Sequence, residues 1–170
     1  MSFPFMRRKM RLRGHDYTQA GAYFVTINLR ERRSLFGTVG DGHVELSDVG
    51  CMIAEVWEGL PERYPTIVLD AFIVMPDHVH GVLFMNDGVQ IDGSPHLSEV
   101  IRVFKSITTT RYITGVKQAG WPRFVAPFWQ ANYYDHVIRD DRDLDARRVY
   151  IERNPGRWEE RRASLRLPRS

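Results

Sequence analysis

From Phe72 to Met85 the chain is almost continuously apolar, and Pro76-Asp77 interrupts it once. The run reads as two strands, residues 67–75 and 78–85, joined by the tight link Met75-Pro76-Asp77 into a hairpin. The second strand opens on His78-Val79-His80. Successive side chains on a strand point to opposite faces, so His78 and His80 share a face while Val79, Gly81, Leu83 and Met85 take the other. Two imidazoles held side by side are either a pair of ligands for a divalent metal or two satisfied histidines at a strand end.

The elements around this hairpin define a fold class. Residues 22–29 alternate and are rich in β-formers, which predicts a first strand. Glycine and charge punctuate residues 30–46. Val49, Met52, Ile53, Val56, Trp57 and Leu60 recur at i, i+3, i+4, i+7, i+8 and i+11, an amphipathic helix over 48–60 capped by Ser47 or Asp48. A polar loop, 86–95, precedes a helix over 97–114 that turns Leu97, Val100, Ile101, Phe104 and Ile107 inward and Arg102, Lys105 and Arg111 outward. Residues 115–131 form a long connection, 132–139 a fourth strand, and 141–154 a last helix ending near Pro155. The order β-α-β-β-α-β plus a terminal helix predicts an α+β, ferredoxin-like split βαβ fold. Its antiparallel sheet carries helices on one face. The other face would be open, the histidines would project into it, and His78→Ala would cost little stability.

At 170 residues the chain is expected to form one domain, 1–170, with a basic arm at 1–20 and a short tail at 156–170. No apolar run approaches the roughly 20 residues of a membrane span, and the basic start lacks a following apolar stretch. The single cysteine, Cys51, excludes an internal disulfide and a cysteine-based zinc cluster, and its place on the first helix's apolar stripe suggests burial. A cytoplasmic setting is expected. Net charge is only +3, but residues 1–33 gather Arg7, Arg8, Lys9, Arg11, Arg13, Arg30, Arg32 and Arg33 against Asp16 and Glu31. Such an arm suits bidentate phosphate contacts, or is simply a solvated basic segment.

The last helix holds Tyr150 and Asn154 at i, i+4, about 40° apart on its surface. Leu144 and Ile151 mark its core face, and Tyr150 falls to one side. Near a histidine pair, the amide would add a hard third ligand and the phenol a nucleophile. Otherwise the tyrosine packs on the sheet and Asn154 caps the helix end.

Six segments, in this order, resemble the HUH single-tyrosine transposases of bacterial insertion sequences, and within them the REP-associated tyrosine transposase branch. They are Gly21–Arg30, Met75–Val82 (Met-Pro-Asp-His-Val-His-Gly-Val), Phe104-Lys105-Ser106, Phe128-Trp129-Gln130, Tyr134–Arg139 (Tyr-Asp-His-Val-Ile-Arg) and Tyr150–Pro155 (Tyr-Ile-Glu-Arg-Asn-Pro). The resemblance implies the same fold, His78, His80 and Asn154 as ligands of Mg²⁺ or Mn²⁺, and Tyr150 as the nucleophile. Tyr112, Tyr133 and Tyr134 are then left to packing or DNA stacking, and His136, which alternates with Tyr134 and Ile138 on one strand face, to a core hydrogen bond. The residue after Asn154-Pro155 is Gly156, where the family carries an apolar side chain.

The activity so implied is a metal-dependent single-stranded DNA endonuclease and strand transferase. It works through a covalent 5′-phosphotyrosine, in transposition or REP-hairpin processing, on single-stranded or hairpin DNA, as monomer or homodimer. Arg7, Arg8, Lys9, Arg11, Arg13, Arg102, Lys105 and Arg111 are candidate DNA contacts. The alternatives are a non-catalytic DNA-binding regulator derived from a transposase, and a hydrolase using metal-activated water.

Overall fold

A computed structural model describes residues 21–85 and 96–166. Six strands and five helices follow one another: β1 Gly21–Asn28, β2 Gly37–Gly40, β3 His43–Leu46, α1 Asp48–Glu58, α2 Leu60–Arg63, β4 Ile67–Met75, β5 His78–Met85, α3 Leu97–Gln118, β6 Tyr134–Ile138, α4 Asp141–Glu152 and α5 Asn154–Arg166. The main sheet runs β4-β5-β1-β6, with every neighbouring pair antiparallel. With the β2–β3 pair set aside, this is the ferredoxin-like split βαβ order expected from the sequence.

The Met75-Pro76-Asp77-His78 corner closes with Met75 paired to His78. Backbone amides of Leu29 and Phe36 dock the turn by donating to the Asp77 and Pro76 carbonyls. β5 is a central strand, between β4 and β1, and every one of its residues is buried. Its odd-numbered face joins the larger core with α1 and α3, where Ile27, Val79 and Leu83 meet Ile53, Trp57, Val100 and Phe104. Gly81 lies on that face because the Trp57 indole occupies the space above it. A Cβ there would sit 2.4 Å from Trp57 Cζ2.

The even-numbered face is not open. Ala22, Phe24, Val82, Phe84 and Ile138 form a second core against Leu144 and Ile151 of α4. The expected free face is therefore covered, since Leu144 and Ile151 sit two turns apart on one helical stripe and need an apolar partner. His78 and His80 are 7% and 4% exposed, so removing either is not a surface change.

Three further differences have identifiable causes. β2 and β3 form a hairpin where the sequence reads as punctuation. Asp41 and Gly42 both adopt positive φ, 53° and 72°, the pair needed for a tight turn matching strand twist. α3 runs four residues past the expected end at 114, because Gly115 does not break it. Gly115 instead leaves room for the Trp121 ring, which would stand 2.1 Å from a Cβ. Cys51 is half-buried, not enclosed. Among the described residues no helix is long and apolar enough to cross a membrane.

Candidate active site

The site is assembled by β5, β1 and the junction of α4 with α5. Asp140 caps α4 by accepting from the Asp143 amide. β4 slips register between Leu69 and Phe72, and Asp70 in that irregularity grips Arg148 of α4 twice, at 2.8 Å (Nε) and 2.7 Å (Nη2). This places Tyr150, two residues on, with its ring edge-on to Phe24 (5.7 Å) and to His80 (5.3 Å).

The expected single helix over 141–154 is two. Pro155 has no N–H to continue the α4 ladder, but in the first turn of a new helix that donor is not needed. Asn154 thus opens α5, and most of the expected tail is helical through Arg166. Arg153 between them keeps helical torsions (φ −86°, ψ −3°), so Asn154 still follows Tyr150 by about one turn. Its side-chain Nδ2 lies 3.3 Å from His80 Nε2 in a fully enclosed position.

His78 Nε2 and His80 Nε2 face each other at 3.1 Å. Their other nitrogens are engaged: His78 Nδ1 with Asp77 Oδ1 at 2.6 Å, and His80 Nδ1 with Thr26 Oγ1 at 2.8 Å. A carboxylate only accepts, so the His78 proton sits on Nδ1 and leaves the Nε2 lone pair inward. With Thr26 accepting from Nδ1–H, the His80 lone pair converges on the same point. Arg32 holds the second Asp77 oxygen at 3.0 Å. Burial, and to a lesser extent the neighbouring His78 and Arg161, push His80 down to about 3, so it is neutral near pH 7 and available as a donor.

This donor set fits a cation. Two bonds of about 2.1 Å at right angles separate their donor atoms by about 3.0 Å, close to the 3.1 Å between the two Nε2 atoms. The third donor is the Asn154 amide, whose oxygen and nitrogen exchange by a flip. Among the described residues no group of three His, Cys, Asp or Glu side chains converges on a metal position, and the amide is the further polar group that stands beside the pair.

α5 adds a rim to the site. Arg157 Cζ stands 5.4 Å over the Tyr150 ring, and Trp158 lies tilted against His78 at 5.7 Å. The Trp158 Nε1–H is buried with no acceptor among the described residues.

No protein-family model matches the chain. An uncharacterized protein of Haemophilus influenzae is 32% identical over 167 residues, 91% of this chain and 91% of that protein. The REP-associated tyrosine transposase of Escherichia coli is 26% identical over 139 residues, covering 82% of this chain and 68% of its own length. The chain is a relative of the REP-associated tyrosine transposases. The structure of a REP-associated tyrosine transposase bound to a REP hairpin shares its fold, with TM-score 0.59 and 23% identity over 84% of this chain and 71% of that one.

The other segments that carry the resemblance are structural. In Phe128-Trp129-Gln130, both rings are buried, Trp129 Nε1 donates to Thr108 at 2.9 Å, and the Gln130 amide donates to the Asn28 carbonyl. His136 bonds Asp143 at 2.7 Å, tying β6 to α4, in a partly exposed position and not a core one. Tyr112 is enclosed and donates to the Pro122 carbonyl, and Tyr133 sits under Lys105. Only Tyr134 of the three tyrosines is exposed, edge-on to Phe24 on the site's face of the sheet.

The candidate DNA contacts do not gather at the site. Arg7, Arg8, Lys9, Arg11 and Arg13 lie outside the described residues. Arg102, Lys105 and Arg111 are on α3, across the sheet from the histidines. Lys105 is committed to the carbonyls of Gln130 (2.8 Å) and Ala131 (3.1 Å), and Arg111 faces Glu55 of α1. The sequence reading missed Asp77, Thr26, Arg157 and Trp158. Asp77 and Thr26 could have been found, since one precedes the histidine pair and the other pairs with His80 in the β1–β5 register.

Proposed function

We propose that this chain is a metal-dependent single-stranded DNA endonuclease and strand transferase that acts on hairpin DNA and uses Tyr150 as its nucleophile. The observation that carries the reading is the Tyr150 ring, 5.3 Å from the His80 ring, beside two inward-facing Nε2 atoms and an enclosed amide. Transposase relatives supply the DNA-processing context.

His78, His80 and Asn154 would hold Mg²⁺ or Mn²⁺. Bound there, the ion would neutralise charge on the scissile phosphate and on the departing oxygen. Imidazole donors suit manganese better than magnesium. Tyr150 Oη attacks phosphorus, the bond to the 3′-oxygen breaks, and the tyrosine becomes esterified to the 5′-phosphate. The phenol proton ends, net, on the 3′-oxygen. The ester keeps the energy of the phosphodiester, so another 3′-hydroxyl can displace Tyr150 and reseal a strand. Phe24, stacked on the His80 ring and edge-on to the Tyr150 ring, fixes the phenol relative to His80.

Denaturing electrophoresis of the protein with labelled single-stranded hairpin oligonucleotides, in Mn²⁺ or EDTA, tests this. A slow-migrating covalent band is expected in Mn²⁺ alone and lost in Tyr150→Phe. Cleavage that persists in Tyr150→Phe would assign the reaction to water and overturn the role of Tyr150.

A further inference from the structure

α5 turns one face toward the site. Asn154, Arg157, Trp158 and Arg161 are spaced i, i+3, i+4 and i+7, which puts them on a single stripe. Three of them make separate contacts there: Asn154 with His80, Arg157 with Tyr150, and Trp158 with His78. Arg161 lies one turn beyond Arg157 on the same stripe. The opposite side of the helix is tied down elsewhere. Glu159 accepts from the Gly42 amide at 2.8 Å, so the β2–β3 hairpin acts as a brace that sets the rotation of α5.

The two arginines lack the usual partners. Among the described residues no carboxylate pairs with Arg157 or Arg161, whereas Arg147 and Arg148 on the preceding helix are both paired. Both residues are solvent-exposed. Arg157 over the Tyr150 ring and Arg161 one turn further along the same stripe form a seat for consecutive phosphodiesters of a strand. Arginine supplies planar, bidentate donors that a phosphate matches.

We propose that Arg157 and Arg161 of α5 bind the DNA backbone at the reaction centre, Arg157 gripping the phosphate that Tyr150 attacks and Arg161 its neighbour. This deepens the proposed function and rests on it for the identity of the ligand. It assigns DNA contact to a helix that reads in the sequence largely as a tail.

The probe is a pool of labelled single-stranded hairpin oligonucleotides with randomised flanks. Binding is measured by fluorescence anisotropy in EDTA as salt is varied, for the full chain, for Arg157→Ala with Arg161→Ala, and for the same two positions changed to Lys. A control removes equal charge from the opposite layer by Arg63→Ala with Lys117→Ala. Each phosphate contact on a single strand contributes about 0.7 to the slope of log affinity against log salt. The alanine pair should lower the slope by about 1.4, the lysine pair should restore it, and the control should leave it near the parent value. Covalent adduct yield in Mn²⁺ should fall at least tenfold in the alanine pair. An unchanged slope in the alanine pair, or an equal fall in the control, overturns the proposal. A lowered slope without any adduct in the parent chain would sustain the phosphate seat while refuting the tyrosine chemistry.

Discussion

Asp77 is the residue on which the geometry of the pair most depends. It is enclosed, it fixes the proton of His78, and Arg32 holds its other oxygen. Partners of this kind orient a ligand and raise its basicity, and their loss typically costs 10- to 100-fold in metal affinity. Asp77→Asn should therefore weaken Mn²⁺ binding, read by electron paramagnetic resonance of the free ion, by about that factor, with Tyr150 untouched. Equal affinity in the variant would mean that His78 needs no orienting partner. His78→Ala should also lower stability, by about 1–3 kcal/mol, because it strips a buried carboxylate of one of its partners. Chemical denaturation measures this. The sequence expectation of a nearly neutral change followed from an open face that α4 in fact covers.

At the scale of elements, α4 is held to the sheet at two points, and each can be tested. At its start, burial pulls the Asp143 carboxyl up, but hydrogen bonds from His136, the Arg139 amide and Arg147 outweigh it and hold the group below the ordinary 3.8. A depressed carboxyl contributes stability that is present above the unfolded value and lost as pH falls through the folded one. Asp143→Asn should thus be destabilising at pH 7, and its deficit should shrink below about pH 4 in denaturant titrations. Further along, the Asp70–Arg148 grip sits just before Tyr150, and Asp70→Ala should slow adduct formation as well as lower stability. β6 offers a different handle. Tyr134 is 55% exposed on the site's face of an edge strand, in register with Thr26, which pairs in turn with His80. Stacking of a base on it would be worth about 1–3 kcal/mol, so Tyr134→Ala should weaken single-strand binding about tenfold and Tyr134→Phe should not. Periodicity made the four sheet strands and the two core helices legible, because burial on one face leaves a pattern in the chain. The β2–β3 brace and α5 were not. Their residues are mostly polar and half-exposed, and what defines them is a positive-φ Asp41-Gly42 turn and a proline that begins a helix.

For the molecule as a whole, the site lies where the two halves of the sequence meet: β1 and the β4–β5 hairpin supply the histidines and their partners, while α4 and α5 supply the phenol and the amide. A motif search along the chain finds the residues, but only the antiparallel order β4-β5-β1-β6 explains why Thr26 stands behind His80 and why α4 must lie across the even-numbered face. That arrangement brings two imidazole nitrogens 3.1 Å apart in an enclosed space. An ion that binds only the folded chain stabilises it by mass action, about 2.7 kcal/mol at a concentration 100-fold above its Kd. For a chain of this size that corresponds to a rise of roughly 5–11 °C in Tm. Mn²⁺ should produce such a rise, measured by calorimetry or circular dichroism, and EDTA should reverse it. His80→Gln should abolish it, since that substitution removes a donor from the centre of the site. Tyr150→Phe should keep it, because the phenol is assigned to attack and not to ligation. A rise of the same size in His80→Gln would place the ion elsewhere on the surface and detach the metal from Tyr150 altogether.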